Sequence, residues 1–188
     1  MARLIYFAIA SLDGYIEDEQ GRFDWAAPGP DAHSFANELE RSVGTNLYGR
    51  RMYETMAVWE TDPALAAQSP ETRDFAAAWR AVDKIVYSTT LAEVSTSRTR
   101  LERRFDPYAV RELKASAEAD VTVAGAELAA HALRAGLVDE YQLFLAPALV
   151  GGGKRALPDG LRLDLELLDQ RSFSDGMIFL RYAVASPA

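Results

Sequence analysis

Four short stretches carry residues that could bind or act on a ligand. They are Ser11-Leu12-Asp13-Gly14, Gly49-Arg50-Arg51, Ser88-Thr89-Thr90 and Gly125-Ala126-Glu127. The last three supply what the phosphates of a dinucleotide need. Glycine at 49 and 125 lets backbone N–H groups approach an anion at a helix start, where the helix dipole favours negative charge. Arg50 and Arg51 add forked cationic donors. Ser88, Thr89 and Thr90 add hydroxyls. Taken singly, each stretch is compatible with an ordinary turn. Their recurrence at successive strand ends is what makes them a candidate phosphate cradle. Asp13 is a candidate for orienting a substrate or relaying a proton, the alternative being a turn aspartate that caps its own loop.

Further candidates lie beside these. Trp25 follows a long polar loop and could stack on a flat ring. Asp31 and His33 sit on the helix after that loop. Several signatures are excluded. No G-x-G-x-x-G occurs. Gly151-Gly152-Gly153-Lys154 lacks the spacing of a phosphate-binding P-loop, and Arg155 stands where a hydroxyl would hold magnesium. There is no G-x-S-x-G elbow. Cysteine is absent, which removes disulfides, zinc–thiolate sites and thiol nucleophiles. The two histidines, His33 and His131, are far apart, so no metal site is expected. Glu102-Arg103-Arg104 reads as a solvated surface patch.

The elements that must position these residues follow from hydrophobic pattern and punctuation. Residues 3–10 are a continuous apolar run, the mark of a strand covered on both faces. The run is too short, and its single Arg3 too thin a basic flank, for a secretory signal, so the chain is expected in the cytoplasm. Residues 17–30 form a loop rich in glycine and proline, with Asp31 as the expected N-cap of a helix to about Arg41. A strand over 45–48 leads into a helical turn at Gly49. Ser69-Pro70 opens a helix to Ala81, and Asp106-Pro107 opens another to Ala117. Strands are expected over 84–87, 121–124 and 141–145, with a helix over 126–135 ended by Gly136. Residues 147–160 read as a loop. Leu161, Leu163, Leu165 and Leu167 alternate with charged residues, predicting a half-exposed strand over 161–167. Ser174-Asp175-Gly176 then turns into a last strand over 177–184.

The alternation of strand and helix predicts an α/β fold. Its mostly parallel sheet has helices on both faces and an antiparallel pair at the C-terminus. The chain has 188 residues and reads as one domain. Its net charge of −8 argues against nucleic acid as a partner, because phosphate backbones require a basic footprint. No run is long enough to cross a membrane.

The motifs also resemble a known family. Asn46-Leu-Tyr-Gly-Arg-Arg-Met-Tyr-Glu54 is similar to the G-R-x-T stretch of dihydrofolate reductases. Ser11–Gly14, Lys84-Ile-Val-Tyr-Ser88, Gly136-Leu-Val-Asp-Glu140 and Pro147–Lys154 are similar, in the same order, to the reductase domain of the bifunctional riboflavin-biosynthesis deaminase–reductase and its stand-alone relatives. The resemblance covers essentially the whole chain. It implies a dihydrofolate-reductase-like fold, NADPH as hydride donor, a small heterocyclic or carbonyl substrate, and a homodimer. It places Gly49, Arg50 and Arg51 on the pyrophosphate and 2′-phosphate side. Ser88, Thr89 and Thr90 fall on the adenosine ribose, and Gly125 and Ala126 on the pyrophosphate. Ala10, Asp13, Gly14 and Ile16 fall at the nicotinamide, and the helix with Asp31 and His33 falls on the substrate side. Met52 replaces the motif's threonine, and Ala124 stands where a second glycine is frequent. Thr89 stands where many relatives carry arginine, which leaves NADH as an alternative cofactor. No counterpart of the deaminase half or its zinc ligands is found. A protein that keeps the fold and binds nucleotide without turnover is the alternative to an enzyme.

Overall fold

A computed structural model describes residues 1–185. Among these residues ten strands and six α-helices alternate. They are β1 (Leu4–Ser11), β2 (Tyr15–Glu17), α1 (Pro30–Arg41), β3 (Val43–Gly49), α2 (Arg50–Thr61), α3 (Pro63–Ala66), α4 (Pro70–Ala81), β4 (Asp83–Tyr87), β5 (Thr99–Glu102), α5 (Pro107–Ser116), β6 (Asp120–Ala124), α6 (Ala126–Arg134), β7 (Glu140–Ala146), β8 (Lys154–Arg155), β9 (Leu165–Ser172) and β10 (Ile178–Val184). Eight strands form one sheet in the order β5-β4-β3-β6-β1-β7-β10-β9. Neighbours from β5 to β7 are parallel, and β10 is antiparallel to both β7 and β9. The expected mixed sheet is therefore present. A two-stranded ribbon of β2 and β8 stands beside it.

Helices cover both faces of the sheet because its central strands are apolar on both sides. Leu4, Tyr6, Leu47, Ile85, Val121 and Val123 pack with Val110 of α5 and with Leu128, Ala129, Ala132 and Leu133 of α6. On the other face Phe144 and Phe179 pack with Ala32 and Phe35 of α1. There too, Tyr48, Val86 and Ala124 pack with Tyr53 and Ala57 of α2 and Trp79 of α4. Among the polar side chains buried in the sheet, Asn46 of β3, Thr122 of β6 and Lys84 of β4 are each partnered. The Asn46 amide donates to Glu40 Oε1 at 2.7 Å and accepts from Thr122 Oγ1. Lys84 Nζ donates to the carbonyls of Trp79 and Val82 at 3.0 and 2.8 Å. Burial pushes the Glu40 carboxyl up and the Lys84 amine down, since a low-dielectric site disfavours both charged forms.

Several expectations change. The first long helix is capped by Gly29, not Asp31. Pro30 has the fixed φ of a first helical position, so the helix begins two residues earlier. The helical turn expected at Gly49 is the full helix α2. The alternating leucines form a strand only from Leu165; Leu161 instead packs on the main core. β5 falls in the stretch containing Glu102, where no strand is expected, because four residues at a sheet edge carry little pattern.

The edge of the sheet where most strands begin is tied by charge. Glu140 is 2% exposed and accepts from Arg3 Nη1 at 2.8 Å and from Arg181 Nε and Nη2 at 2.7 and 3.0 Å. The Gln142 amide donates to its other side at 2.9 Å. Arg3 also pairs with Asp120, so four strands or their flanks share one knot. Replacing Glu140 with alanine would strip Arg181 of its carboxylate partner and leave Arg3 with Asp120 alone. Because both arginines are partly exposed, Glu140→Ala is expected to cost about 2–3 kcal/mol, less than a fully buried pair would. Urea denaturation at neutral pH checks this; a loss under about 0.5 kcal/mol would show that the knot does not bear on stability.

Candidate functional site

All strands of the main sheet except β10 run the same way, so their carboxyl ends meet at one edge. Open α/β sheets bind ligands there. The register places Tyr48 beside Ala124 and Gly49 beside Tyr87. The chain leaves β3 through Gly49 and β6 through Gly125, and each glycine is the N-cap of the next helix. Neither cap carries a side-chain acceptor, so the first N–H groups of α2 and α6 point outward with none. Helices α3, α4 and α5 differ, being capped by the side chains of Asp62, Ser69 and Asp106.

The two open helix ends abut. A Cβ on Gly125 would lie 3.2 Å from Cβ of Met52, in the first turn of α2. A Cβ on Gly49 would lie 3.8 Å from Cβ of Leu128, in the first turn of α6. Gly125 also has φ +92°, a conformation that L side chains rarely adopt. Ala126, the first residue of α6, is buried behind this junction.

The two neighbouring arginines diverge. Arg50 Nη1 donates to Thr90 Oγ1 at 3.0 Å, and its Nε donates to Glu54 at 2.7 Å. Arg51 instead faces Glu17 of β2, with Nη1 3.7 Å from Oε1. Ser88 is spent on its own turn, where its hydroxyl accepts from the amides of Thr90 and Leu91 at 3.2 and 2.9 Å. Thr89 and Thr90 are exposed. Arg103 departs from the expected solvated patch: it donates to the carbonyls of Ser88, Leu91 and Ala92 and holds that turn. A pair of arginines closing an unrecognised strand gave no signal that could be told from surface charge.

At the end of β1, Ala10 is buried beside Leu145. Gly14 turns the chain with φ +89° and accepts from the Ala156 amide at 2.9 Å. Ile16 packs against the main core from the ribbon. Asp13 is a clamp. Its carboxylate accepts from the Ser11 hydroxyl at 2.6 Å, from the Val150 amide at 3.2 Å and from the Gly151 amide at 2.8 Å. These donors, the Ser11 hydroxyl foremost, hold its carboxyl below the usual aspartate range. Three donors engage the carboxylate, an arrangement that favours its ionised form.

The substrate-side candidates separate. Trp25, in a 3₁₀ turn (Asp24–Ala26) that contacts β1, packs against the core cluster that contains Phe35, Phe144 and Phe179. Its indole Nε1 is buried and has no hydrogen-bond acceptor among the described residues. Such orphaned donors are rare and expensive. Asp31 accepts from the amides of Ala32 and Ser174 and so ties α1 to the turn between β9 and β10. His33 lies in the seam of α1, α2 and α4, edge-on to Trp59 at 6.1 Å and Phe75 at 5.7 Å, with Nδ1 3.1 Å from Asn37 Oδ1. Periodicity explains the split: Ala32 and Phe35 take the sheet-facing stripe of α1, which turns His33 and Asn37 to the neighbouring helices. Among the described residues, no cluster of three or more His, Asp or Glu side chains could hold a metal ion. A cleft of about 420 Å³ opens between the 18–22 turn and Leu149–Gly152.

The Asp13 clamp should be visible in solution. Asp13→Ala is expected to speed hydrogen exchange at the Val150 and Gly151 amides by about tenfold or more at pH 7. In the native chain, protection should persist down to the ordinary aspartate value of about 3.9 and fade as the pH drops from there through the depressed value in the fold. Equal exchange in the two proteins would remove the clamp.

Known proteins resemble this chain along its length. The family model described as "RibD C-terminal domain" matches residues 2–179. The chain is similar to the uncharacterized protein YyaP of Bacillus subtilis (strain 168), at 29% identity over 185 residues covering 96% of this chain and 94% of that protein. The fold is similar to a "Putative riboflavin biosynthesis protein" from Shewanella sp. PV-4, with TM-score 0.76 and 22% identity over 99% of this chain and 100% of that one. It is also similar to a pyrimidine reductase-like protein from Corynebacterium diphtheriae, with TM-score 0.66 and 16% identity over 99% of this chain and 93% of that one. A diaminohydroxyphosphoribosylaminopyrimidine deaminase/5-amino-6-(5-phosphoribosylamino)uracil reductase from Thermotoga maritima matches at TM-score 0.65 and 16% identity, covering 98% of this chain but 57% of that one.

Proposed function

The chain belongs to the RibD C-terminal domain family, and on that footing we propose that it is a cytoplasmic NADPH-dependent reductase. Its substrate is a small, flat molecule, a pyrimidine- or pterin-like heterocycle or a carbonyl compound. One observation carries the reading: two glycine-capped helix ends, uncapped by any side chain, abut at adjoining strands, flanked by Arg50 and Arg51. That arrangement fits a pyrophosphate, which needs several N–H donors within reach of one another and nearby positive charge. The orphaned indole N–H of Trp25 fits a substrate acceptor at the other end of the site.

A reduced nicotinamide, when bound, supplies the hydride. The protein supplies position. The first-turn amides of α2 and α6 hold the two phosphates, and Arg51 offsets their charge. Arg50, braced by Glu54, and the hydroxyls of Thr89 and Thr90 meet a 2′-phosphate. Arg103 keeps the Ser88–Ala92 turn in place for them. Ala10, Gly14 and Ile16 shape the nicotinamide end. Trp25 donates to the substrate and excludes water from its face, and the first turns of α1, with Asp31 and His33, border it. Asp13 positions the loops around β1. The proton a polar acceptor requires comes from water.

We further assign homodimerisation to the β9–β10 end of the sheet. β9 is an open edge of the sheet, and Leu165, Leu167, Leu168 and Ile178 are each more than 40% exposed. Such an apolar edge calls for a partner. Replacing Leu167 with glutamate should shift sedimentation toward the monomer; an unchanged profile would move the interface elsewhere.

Titration with NADPH and NADH tests the cofactor. NADPH is expected to bind in preference. The double substitution Arg50→Ala, Arg51→Ala should weaken it by a few kcal/mol, since each arginine makes charge-assisted contacts. Unchanged affinity in the double variant would remove the cradle, and equal binding of the two cofactors would remove the 2′-phosphate assignment.

A further inference from the structure

The glycine-rich stretch 151–154 is not a phosphate loop, yet its geometry has a purpose. A Cβ on Gly153 would fall 2.0 Å from the Glu17 carbonyl oxygen, and one on Gly152 would fall 2.8 Å from Glu19 Oε1. Only glycine lets this backbone lie against the 17–19 segment. The close approach forms the β2–β8 ribbon and delivers Lys154 to a defined place. Lys154 Nζ lies 3.3 Å from Glu17 Oε1 and 3.4 Å from Glu127 Oε1. The same Glu17 oxygen lies 3.7 Å from Arg51 Nη1.

The result is a row of alternating charge: Arg51, Glu17, Lys154, Glu127. Its two ends are the second residues of α2 and α6, the helices whose open ends abut. Its two middle members come from the ribbon. The row therefore spans both helix ends. Its contacts are loose. Neither Arg51 nor Lys154 donates a hydrogen bond to any described side chain, whereas Arg50 donates two. Lys154 is largely covered, with 23% of its side chain exposed, so its unmade hydrogen bonds cost more than those of a surface lysine. Both cations contact one carboxylate oxygen, so their separation cannot exceed the two contact distances together, within the span of a phosphate or pyrophosphate.

We infer that Lys154 is a further anion-binding residue of this site, and that Glu17 and Glu127 are internal anions that occupy Arg51 and Lys154 until an incoming phosphate displaces them. The inference rests on the dinucleotide reading for the identity of the ligand but not for the chemistry. Displacement exchanges ion pairs without hydrogen bonds for charge-assisted hydrogen bonds to phosphate oxygens. It also frees Glu17 from Arg51, while Lys154, bound to the anion, keeps the ribbon over it.

Calorimetry with inorganic pyrophosphate and, separately, NADPH tests this on the intact protein. Glu17→Gln keeps the shape and removes the competing charge, so pyrophosphate should bind about threefold to tenfold more tightly. Glu127→Gln, on an exposed side chain where folding is not at stake, should act in the same direction. Lys154→Gln should weaken pyrophosphate about tenfold, and Lys154→Arg should restore most of the loss. Pyrophosphate affinity unmoved or weakened in both glutamate variants, or indifferent to Lys154, would overturn the inference. If pyrophosphate follows the expected pattern but NADPH does not bind, the latch stands and the dinucleotide reading falls. If NADPH binds with an affinity that none of these variants changes, the reading stands and the latch falls. If the native protein binds neither, both fall.

Discussion

The site depends on one close approach, that of the α2 and α6 N-termini where β3 and β6 lie side by side. Each helix begins directly from its strand, and each begins with glycine. The reciprocal contacts, Gly125 against Met52 and Gly49 against Leu128, leave little room for a side chain at position 125. Because the helices start without side-chain caps, the first N–H groups of both stay free of side-chain acceptors where the two helix ends meet. Strand order makes this happen. β6 inserts between β3 and β1, so helices far apart in sequence are brought to one point.

The opposite edge of the sheet is built on the contrary principle. There Glu140, Arg3, Arg181, Asp120 and Gln142 satisfy one another. Lys114 pairs with Asp139, whose other contact is the Leu4 amide. Charges at that edge are consumed by strand-to-strand ties. At the carboxyl edge, Arg51 and Lys154 are held only by ion pairs and the Trp25 N–H is held by nothing. A fold can carry such unmade bonds only where the rest of it is over-determined.

Sequence made one kind of information visible and hid another. Turn chemistry is local, so Gly49, Gly125, Ser69-Pro70 and Asp106-Pro107 announced helix starts that the structure contains. The strand–helix alternation likewise predicted the mixed sheet. What stayed hidden is long-range and short in extent. β8 has two residues and β2 has three, too few for any periodicity. Their pairing rests on Gly153 meeting the Glu17 backbone, a contact between segments far apart in the chain. Lys154 was therefore legible only as the end of a failed motif. Asp13 was legible as a residue with a role, but its partners at Val150 and Gly151 were not, and these decide that it clamps. Asp31 lost its capping role to the fixed φ of its neighbour Pro30.

A chain of net charge −8 must still bind an anion if it takes a dinucleotide. Long-range attraction cannot help, since the mean field repels, but salt screens that field beyond about 8–10 Å. What remains is short-range: at about 4 Å a unit pair near a protein surface is worth about 4 kcal/mol, before desolvation is subtracted. Binding must then come from directed donors at contact distance, which is what two open helix ends and two loosely held cations provide. The same arithmetic explains why acidic residues can sit inside the site. Glu17 and Glu127 act over contact distances too, so they stabilise Arg51 and Lys154 when no ligand is bound and compete only with an anion that reaches the same atoms. In an acidic protein such a pair of carboxylates holds the two cations near each other and ready, at a cost set by contact geometry and not by the overall charge.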